Sequence, residues 1–446
     1  MLREGHMAIA KAGWAQFDST PPLGLPMGGR GPQFTLGTVV LDPLLVQAVV
    51  IEDGKGYRTL WISMDMIGMS WQMTSRFRYE LASLTGIPFE AIVINFSHTH
   101  SGPMSGFEGY ATIEEKPTAL EAYEMGLLPR TVAIVREAIN TLQPVTVRVC
   151  RGASEIGINR RRLNADGSMG MGPNLDGYMN RDLWVLDLCA DKGRCVVFNY
   201  GCHPVMVYGF AWDGISADFP GVCRNRLAEV LGPNTHAQFI QGLAGNVRPR
   251  RLADLDTGTF RKSTPEDVVA TGDQLAADVL AAIDRGGESI DLDLSCVSEF
   301  VMAPRDQDAI LPLSHWEALA AGEEELERNL GSYWVARFQS GVPPVRFLPW
   351  DVGLIRLAKG HTIAWLANEV FAEWLPHLRT WLNEPNLIAW GYCQDGRNYM
   401  PTDEVLPQGG YEIDRANAYT KTGPGPFKVG MNDAAKKTFR VLSNRI

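Results

Sequence analysis

The sequence predicts an α/β fold, because short apolar runs of strand length alternate along the chain with longer stretches of helical periodicity. The composition supports a folded chain, since 45% of the 446 residues are hydrophobic and 21% are charged. No internal repeat or low-complexity linker interrupts the pattern. The length would allow two or three domains, but with no boundary in sight we expect residues 1–446 to form a single large domain.

The amino-terminal half supplies strands and helices in alternation. Residues 58–64 are strongly apolar and end at Asp65, and residues 91–96 form an apolar run of the kind found in buried strands. Apolar residues recur at helical spacing through residues 119–142. The predicted elements are strands at 38–51 and 58–64, a helix at 71–84, a strand at 91–96 and a helix at 119–142.

The rest of the chain begins with a segment, residues 161–181, that is rich in Gly, Asn, Asp and Met and is predicted to be a long loop. Lys359-Gly360 separates two apolar runs and predicts a hairpin. The predicted strands are 183–188, 195–200, 237–241, 290–300, 352–358, 362–366 and 387–392, and the predicted helices are 220–231, 265–283, 314–330, 370–382 and 433–445. The last helix is basic and amphipathic, so it packs back onto the body or contacts a partner.

Charge and cysteine content narrow the class of protein. The net charge of −10 would repel a nucleic-acid backbone, so a small-molecule substrate is expected. The seven cysteines are scattered without a CxxC pair, which fits a reducing compartment. With no apolar run of signal-peptide or membrane-spanning length, we expect a soluble, cytoplasmic protein without stable membrane association. A homo-oligomer remains open.

The segment Asn95-Phe96-Ser97-His98-Thr99-His100-Ser101-Gly102-Pro103 places two imidazoles directly after a predicted strand. Residues two apart on a regular strand point to the same side, so His98 and His100 could reach one metal ion if the strand stays regular to its end. Neutral imidazole is a good ligand for zinc and related metals. Taken alone, the pair fits surface or turn histidines equally well.

Two further strands end in loops that carry polar residues. Residues 195–200 lead into Gly201-Cys202-His203-Pro204, and residues 237–241 lead into a loop with Asn246 and Arg248. In α/β sheets the ends of strands are where ligands bind. The three loops therefore predict a common site.

Taken together, several segments resemble the neutral/alkaline ceramidase family of zinc-dependent amidases. The matching segments are Phe17 to Pro22, Asn95 to Pro103, Ile158 to Arg160, Gly201 to Pro204, Ser216 to Gly221, Gln241 to Pro249, Asn368-Glu369, and Tyr399 to Thr402 with Tyr411. Their order and spacing extend over nearly the whole chain. The resemblance implies a central mixed β-sheet core flanked by helices, as in the catalytic domain of that family.

The resemblance also implies roles for individual residues. It places a zinc ion on His98, His203, Glu369 and Tyr399, although the phenol of Tyr399 could instead donate a hydrogen bond to the reacting oxygen. It assigns proton transfer or carbonyl orientation to His100. Arg160 and Tyr411 would meet the negative charge of a tetrahedral intermediate, together with Tyr399, because such a charge needs preorganised donors.

The chain departs from the ceramidases in two respects. Their loop carries an aspartate and a serine where this chain has Asn246 and Arg248. Arginine stays protonated and suits bidentate contact with carboxylate or phosphate. We therefore predict that Arg248 and Asn246, with Arg160 or Arg161, contact an anionic group of the substrate or polarise its carbonyl. The second departure is the absence of room for the C-terminal β-sandwich domain of the secreted ceramidases.

Three functional hypotheses follow from the sequence. The first is a zinc-dependent hydrolase that cleaves the C–N amide bond of a small acylated substrate, which can be anionic, by attack of metal-bound water. The second keeps the metal but cleaves an ester or lactone, a bond that could tolerate loss of the serine. The third is a binding protein of the same fold that has lost catalysis.

Overall fold

The protein is described by a computed structural model that covers residues 9–30, 35–105, 111 and 117–446. Its largest element is a mixed nine-stranded sheet, in which Arg58–Met64 runs parallel to Ile92–Phe96 and His361–Ala367 runs parallel to Ile388–Cys393. In spatial order its strands are Ser295–Pro304, Phe347–Ala358, His361–Ala367, Ile388–Cys393, Ile92–Phe96, Arg58–Met64, Leu45–Glu52, Lys11–Asp18 and Gln143–Pro144.

A five-stranded sheet packs against the nine-stranded one. Its strands, in spatial order, are Thr235–Gln241, Gly193–Tyr200, Asp182–Ala190, Thr146–Ala153 and Glu288–Ser289. Leu186, Val197 and Ile240 share a buried core with Val49 and Trp61 of the nine-stranded sheet. Because side chains alternate along a strand, neighbouring residues such as Val185 and Phe239 face the other way and pack on helices.

Helices cover the two sheets. Asp218–Leu231 and Pro265–Asp284 pack on the five-stranded sheet, and Thr118–Asn140 packs on the nine-stranded sheet. The second of these begins with a capping box between Thr264 and Asp267, which satisfies two backbone donors. The remaining helices are Trp71–Thr85, Leu313–Ala320, Glu325–Gln339, Trp374–Leu382 and Met431–Ser443.

Short strands connect the sheets near their carboxyl ends. Val247–Pro249 pairs with Gly157–Leu163, which pairs with Met169–Asn174. The remaining two-stranded pairs are Val39–Val40 with Gly214–Ile215, Ala253–Asp254 with Thr259–Phe260, and Glu369–Val370 with Tyr399–Met400. None of the helices in the described ranges has the length and the apolar composition to span a bilayer.

The predicted strands and helices occur in the predicted order, with four corrections, but the strands Lys11–Asp18 and Thr146–Ala153 were not predicted. The predicted loop at 161–181 contains a hairpin in which Arg162 pairs with Gly170, and its Gly and Asn residues mark the turn around Gly167. The predicted strand at 38–51 is two strands, Val39–Val40 and Leu45–Glu52. The helix predicted at 370–382 begins only at Trp374.

The fourth correction concerns the helix predicted at 314–330, which is two helices. Leu313–Ala320 and Glu325–Gln339 fold back on each other, with the rings of Trp316 and Trp334 6.0 Å apart. A Cβ atom on Gly331 would lie 2.3 Å from the backbone nitrogen of Ala320, so the close approach of the two helices requires glycine there.

The carboxyl-terminal helix packs back onto the body, as the sequence predicted. Met431, Ala435, Phe439 and Leu442 of Met431–Ser443 are buried at helical spacing. They share an apolar core with the helix Trp374–Leu382 and two strands of the nine-stranded sheet. This face of the helix is therefore occupied within the chain.

Candidate functional site

The carboxyl ends of strands from both sheets converge on one site. Ile92–Phe96 and His361–Ala367 of the nine-stranded sheet lead to His98 and Glu369. Gly193–Tyr200 of the five-stranded sheet leads to His203, and its parallel neighbour Thr235–Gln241 leads to the loop with Asn246 and Arg248. This is the arrangement expected where strand ends form a ligand site.

His98 and His100 meet through a turn and not, as the sequence suggested, on a regular strand. The strand ends at Phe96, and His98 has φ 62°, a left-handed conformation that costs a non-glycine residue energy. The ring centroids of His98 and His100 lie 5.1 Å apart, and that of His203 lies 5.0 Å from His98. The three imidazoles therefore form one cluster.

Each histidine of the cluster is oriented by a backbone carbonyl. The Nδ1 atoms of His98, His100 and His203 lie 2.6 Å from the oxygen of Ile67, 2.7 Å from that of Gly29 and 2.6 Å from that of Ala244. A carbonyl oxygen can only accept, so each Nδ1 carries the proton and each Nε2 keeps a free lone pair. This is the usual outer contact of a metal-ligating histidine.

Glu369, which follows another strand of the nine-stranded sheet, closes the cluster. Its Oε2 lies 3.3 Å from Nε2 of His98 and 3.1 Å from Nε2 of His203. The Nε2 atom of His100 is buried and has no hydrogen-bond partner. One ligand atom from each of the three histidines can be chosen so that all lie within 4.8 Å of one another.

The pKa values of His203 and Glu369 suit metal binding. Burial, with the positive charge of Arg160, lowers the pKa of His203 to about 4, so its imidazole is neutral at pH 7. Burial alone would raise the pKa of Glu369, but His98 and His203, in their protonated form, outweigh it and hold this pKa well below its usual range. Neutral imidazoles and an ionised carboxylate are the forms that ligate metal ions.

Tyr399, Tyr411 and Arg160 lie together beside Glu369. Tyr399 pairs with Glu369 in the short parallel ladder, and its ring centroid is 6.0 Å from that of Tyr411. The guanidinium carbon of Arg160 lies 5.3 Å from the centre of the Tyr399 ring. Arg160 is buried, and its Nε donates to Glu412 while its Nη2 has no hydrogen-bond partner. The free Nη2 is a donor available to a bound molecule.

Arg161 and Asn246 are bonded within the protein. Arg161 donates to Glu412 Oε2 at 2.7 Å and to the carbonyl of Gly409 at 2.7 Å. The buried amide of Asn246 donates to both carboxylate oxygens of Glu373, and its Oδ1 accepts from the backbone of Ala372. These donors hold the loops in place, whereas Nε of Arg161 is buried without a hydrogen-bond partner. The predicted contacts of the two residues with substrate stay predictions.

Arg248 lies on the other side of the histidine cluster, next to Tyr208. Its Nη2 donates to the Tyr208 hydroxyl at 2.7 Å, and its guanidinium carbon lies 4.9 Å from the centre of the Phe260 ring. The rings of Tyr208 and His100 have centroids 5.9 Å apart. Tyr208 therefore connects Arg248 to the cluster.

Three residues to which the sequence assigned no role also build the site. Asn95 donates to the carbonyl oxygens of Gln241 and Gly391, and Gln241 donates to those of Ser97 and Cys202. These bonds join the loops that carry His98 and His203. Both residues lie in segments that resemble the ceramidases, and this position was the sequence signal that could have drawn attention to them.

Tyr392 is the third of these residues. Its buried ring lies 4.5 Å from that of His98, and its hydroxyl is 3.5 Å from Nε2 of His203. Of the six non-glycine residues with positive φ in the described ranges, five lie in this region: His98, Asp218, Asn368, Tyr392 and Gln394. Strained backbone of this kind collects at functional sites. No sequence signal indicated that Tyr392 belongs to the site.

These side chains fit a metal ion that accepts nitrogen and oxygen ligands. The three imidazoles present free Nε2 atoms, one of them buried without any partner, and a carboxylate faces two of them. An orphaned buried acceptor costs free energy unless a ligand or proton occupies it. The cluster could therefore hold a metal ion.

Comparison with known proteins gives the fold. The structure resembles the crystal structure of neutral ceramidase from Pseudomonas aeruginosa, with a TM-score of 0.70 and 17% sequence identity, over 98% of this chain and 74% of that one. A structure of ceramidase complexed with C2 matches with the same TM-score and identity, over 98% and 75% of the two chains. The chain thus has the fold of the neutral ceramidase catalytic domain, which confirms the predicted fold class. No protein-family model and no curated protein sequence matches it significantly.

Proposed function

We propose that the protein is a zinc-dependent hydrolase that cleaves the C–N amide bond of a small acylated substrate. The observation that carries the proposal is the contact of Glu369 Oε2 with the Nε2 atoms of both His98 and His203 at 3.3 and 3.1 Å. Three ligands of this type, with a further position open to Tyr399 or to solvent, suit a catalytic zinc ion. The neutral ceramidase fold supports the reaction class by analogy.

His98, His203 and Glu369 would hold the zinc ion, with Tyr399 as a fourth ligand or as a donor to the reacting oxygen. A bound zinc ion would lower the pKa of a water molecule and polarise the scissile carbonyl. Because the Glu369 carboxylate lies beside both imidazoles, it would neutralise one of the two positive charges of a bound zinc ion.

The remaining residues act on protons and on developing charge. His100 carries its proton on Nδ1, bonded to Gly29, which supports a role for its Nε2 in accepting a proton from the attacking water and returning it to the leaving nitrogen. Arg160 has a free Nη2, and Glu412 keeps its guanidinium in place. With Tyr399 and Tyr411 it would donate to the oxyanion of the tetrahedral intermediate.

An ester or lactone is the second candidate substrate. It is favoured by one observation, the presence of Arg248 where the resembled amidases have a serine. An ester has a better leaving group than an amide and needs less help from the enzyme.

The test combines metal removal with matched substrates. Purified protein is dialysed against a chelator, and the hydrolysis of an acyl anilide and the corresponding phenyl ester is measured before and after one equivalent of zinc is restored. We expect anilide hydrolysis that is lost on chelation and regained with zinc. Ester hydrolysis alone would select the second candidate. Full activity in demonstrably metal-free protein, or no turnover of either substrate, would refute the proposal.

A further inference from the structure

We propose that Arg248 and Tyr208 form a carboxylate subsite beside the histidine cluster, so that the substrate is an amide with a carboxylate close to the scissile bond. This inference rests on the proposed amidase function and narrows it to a class of substrate. Its main evidence is the set of contacts of Arg248 and Tyr208, in a cleft next to His100.

Arg248 has no anionic partner in the part of the chain that the structure describes. Its Nη2 donates to the neutral hydroxyl of Tyr208, and its Nη1 contacts only the sulfur of Met171, at 3.3 Å. Its Nε is buried without a hydrogen-bond partner. A cation in such surroundings is stabilised strongly by a carboxylate, which gains charge-assisted hydrogen bonds from the same donors.

Arg261, a neighbouring arginine, shows the contrast. It forms two hydrogen bonds with the carboxylate of Asp267, at 2.6 and 2.9 Å, and two more with backbone carbonyls. Four of its five N–H donors, those on Nη1 and Nη2, are therefore used within the protein. Of the two arginines that line this cleft, Arg261 is paired with a carboxylate and Arg248 is not, within the described residues.

The subsite and the histidine cluster share a wall. The carbonyl of Val247, directly before Arg248, accepts a hydrogen bond from Nδ1 of His203 at 3.1 Å. The Tyr208 ring lies 5.9 Å from that of His100, between centroids. A carboxylate held by Arg248 and Tyr208 would therefore be attached within a few bonds of an amide lying over the cluster.

The cleft in front of Arg248 has room for the body of such a substrate. Its volume is about 530 Å³, and it is lined by the aromatic side chains of Phe210, Trp212 and Phe260 as well as by Lys262. Phe210 and Trp212 expose 38% and 47% of their surface. Exposed aromatic walls around the unpaired guanidinium of Arg248 and the amine of Lys262 fit an amphiphilic ligand with an apolar part and a negative charge.

The donor set favours carboxylate over phosphate. Because the Tyr208 oxygen accepts from Arg248, its own proton remains free to be donated to a second oxygen. One guanidinium edge and one hydroxyl match the two oxygens of a monoanionic carboxylate. A phosphate dianion would need more donors than these two side chains provide.

Two pairs of substrates test the inference with the zinc-loaded enzyme. The first pair is N-(3-phenylpropanoyl)glycine, which carries its carboxylate on the leaving amine, and the corresponding neutral glycinamide. The second pair is succinic acid monoanilide, which carries its carboxylate on the acyl group, and the corresponding neutral carboxamide. We expect kcat/KM to be at least tenfold higher for the charged member of one pair. In Arg248→Gln the KM of that member should rise 10- to 100-fold, while the neutral member changes less than threefold.

Arg250→Gln is the matched control. Arg250 stands two residues away, is paired with Glu155 and is substantially exposed. It should leave both members of each pair unchanged. If Arg248→Gln reduces the turnover of charged and neutral members equally, or of neither, the subsite is refuted.

A binding measurement separates the subsite from the proposed function. Isothermal titration calorimetry on the metal-free full chain uses 3-phenylpropanoate, 3-phenylpropanamide and phenylphosphonate. We expect the propanoate to bind the wild type and the propanamide not to bind. The affinity for the propanoate should be at least tenfold lower in Arg248→Gln and three- to tenfold lower in Tyr208→Phe. This pattern without turnover of any amide would refute the amidase and support the subsite. Unchanged affinity in Arg248→Gln, or tighter binding of the phosphonate, would refute the carboxylate subsite whatever the turnover.

Discussion

At the scale of single residues, His98 and His100 differ in what their Nε2 atoms meet. That of His98 faces the Glu369 carboxylate at 3.3 Å, whereas that of His100 has no partner. We therefore expect His100→Gln to keep its bound zinc but to lose kcat by a factor of about 100 to 10,000, the usual contribution of a general base. Elemental analysis and steady-state kinetics on the same preparation measure the two quantities.

His377→Gln provides the matched control for this experiment, because His377 is a partly exposed histidine that stacks on Trp381. Both its zinc content and its kcat should equal those of the wild type. Loss of zinc in His100→Gln would show that His100 is itself a metal ligand, and the division of roles between the two histidines would be wrong.

How far the sequence predicts the site is also visible residue by residue. The resemblance implied that His98, His203 and Glu369 act together, and the structure brings these three side chains into contact. It could not indicate that Asn95 and Gln241 join the loops, because their bonds go to backbone carbonyls of residues far away in the chain. Every residue has a backbone carbonyl, so a single sequence cannot show which one a side chain will contact.

At the scale of elements, the strand Asp182–Ala190 is bound to both its neighbours by one buried carboxylate. Asp187 accepts from Arg148 at 2.6 Å and from Arg194 at 2.7 Å, one on each adjacent strand. Burial alone would raise its pKa, but the two arginines outweigh it and the pKa of Asp187 is lowered. The carboxylate therefore stabilises the fold in its ionised form.

We expect Asp187→Asn to lower the free energy of unfolding at pH 7 by about 2 kcal/mol, since both arginines are partly exposed and water weakens the pairing. A depressed folded-state pKa contributes stability above the unfolded value of about 3.9, and this is lost as the pH falls through the folded value. The difference between variant and wild type should thus be complete at pH 7 and 6 and shrink below about pH 4. Urea denaturation across this range measures it.

The control for Asp187→Asn is Asp191→Asn, in the exposed turn that follows the strand Asp182–Ala190. It should behave as the wild type at every pH. A deficit in Asp187→Asn that is as large at pH 3 as at pH 7 would mean that shape, and not charge, causes the loss.

Periodicity predicted the elements well where a strand or helix has one buried face. The helix Pro265–Asp284 and the hairpin of Phe347–Ala358 with His361–Ala367 were found in the sequence within a few residues. Two of the errors fall where Gly and Asn form a tight turn inside a hairpin, as around Gly167, and where two helices pack closely, as at Gly331. In such places one residue changes the direction of the chain without changing the local pattern of apolar and polar residues.

At the scale of the whole molecule, the site depends on two sheets that the sequence did not separate. Strands far apart in the chain become neighbours, as when Ile388–Cys393 meets Ile92–Phe96. Such pairings follow from packing, so periodicity cannot reveal them. The mixed sheet was implied instead by the resemblance to ceramidases, and the structural match at a TM-score of 0.70 confirms the fold.

Because the proposed zinc ligands come from separate segments of both sheets, zinc should stabilise the whole fold. A ligand that binds only the folded state adds about 4 kcal/mol at a thousandfold excess over its Kd. For a chain of 446 residues we expect a rise in Tm of about 5 °C on adding zinc to chelated protein. Differential scanning calorimetry on wild type and Glu369→Gln measures it, and the variant should show less than a third of the rise. An equal rise in both proteins would place the zinc elsewhere, since the Glu369 carboxylate faces the Nε2 atoms of both His98 and His203.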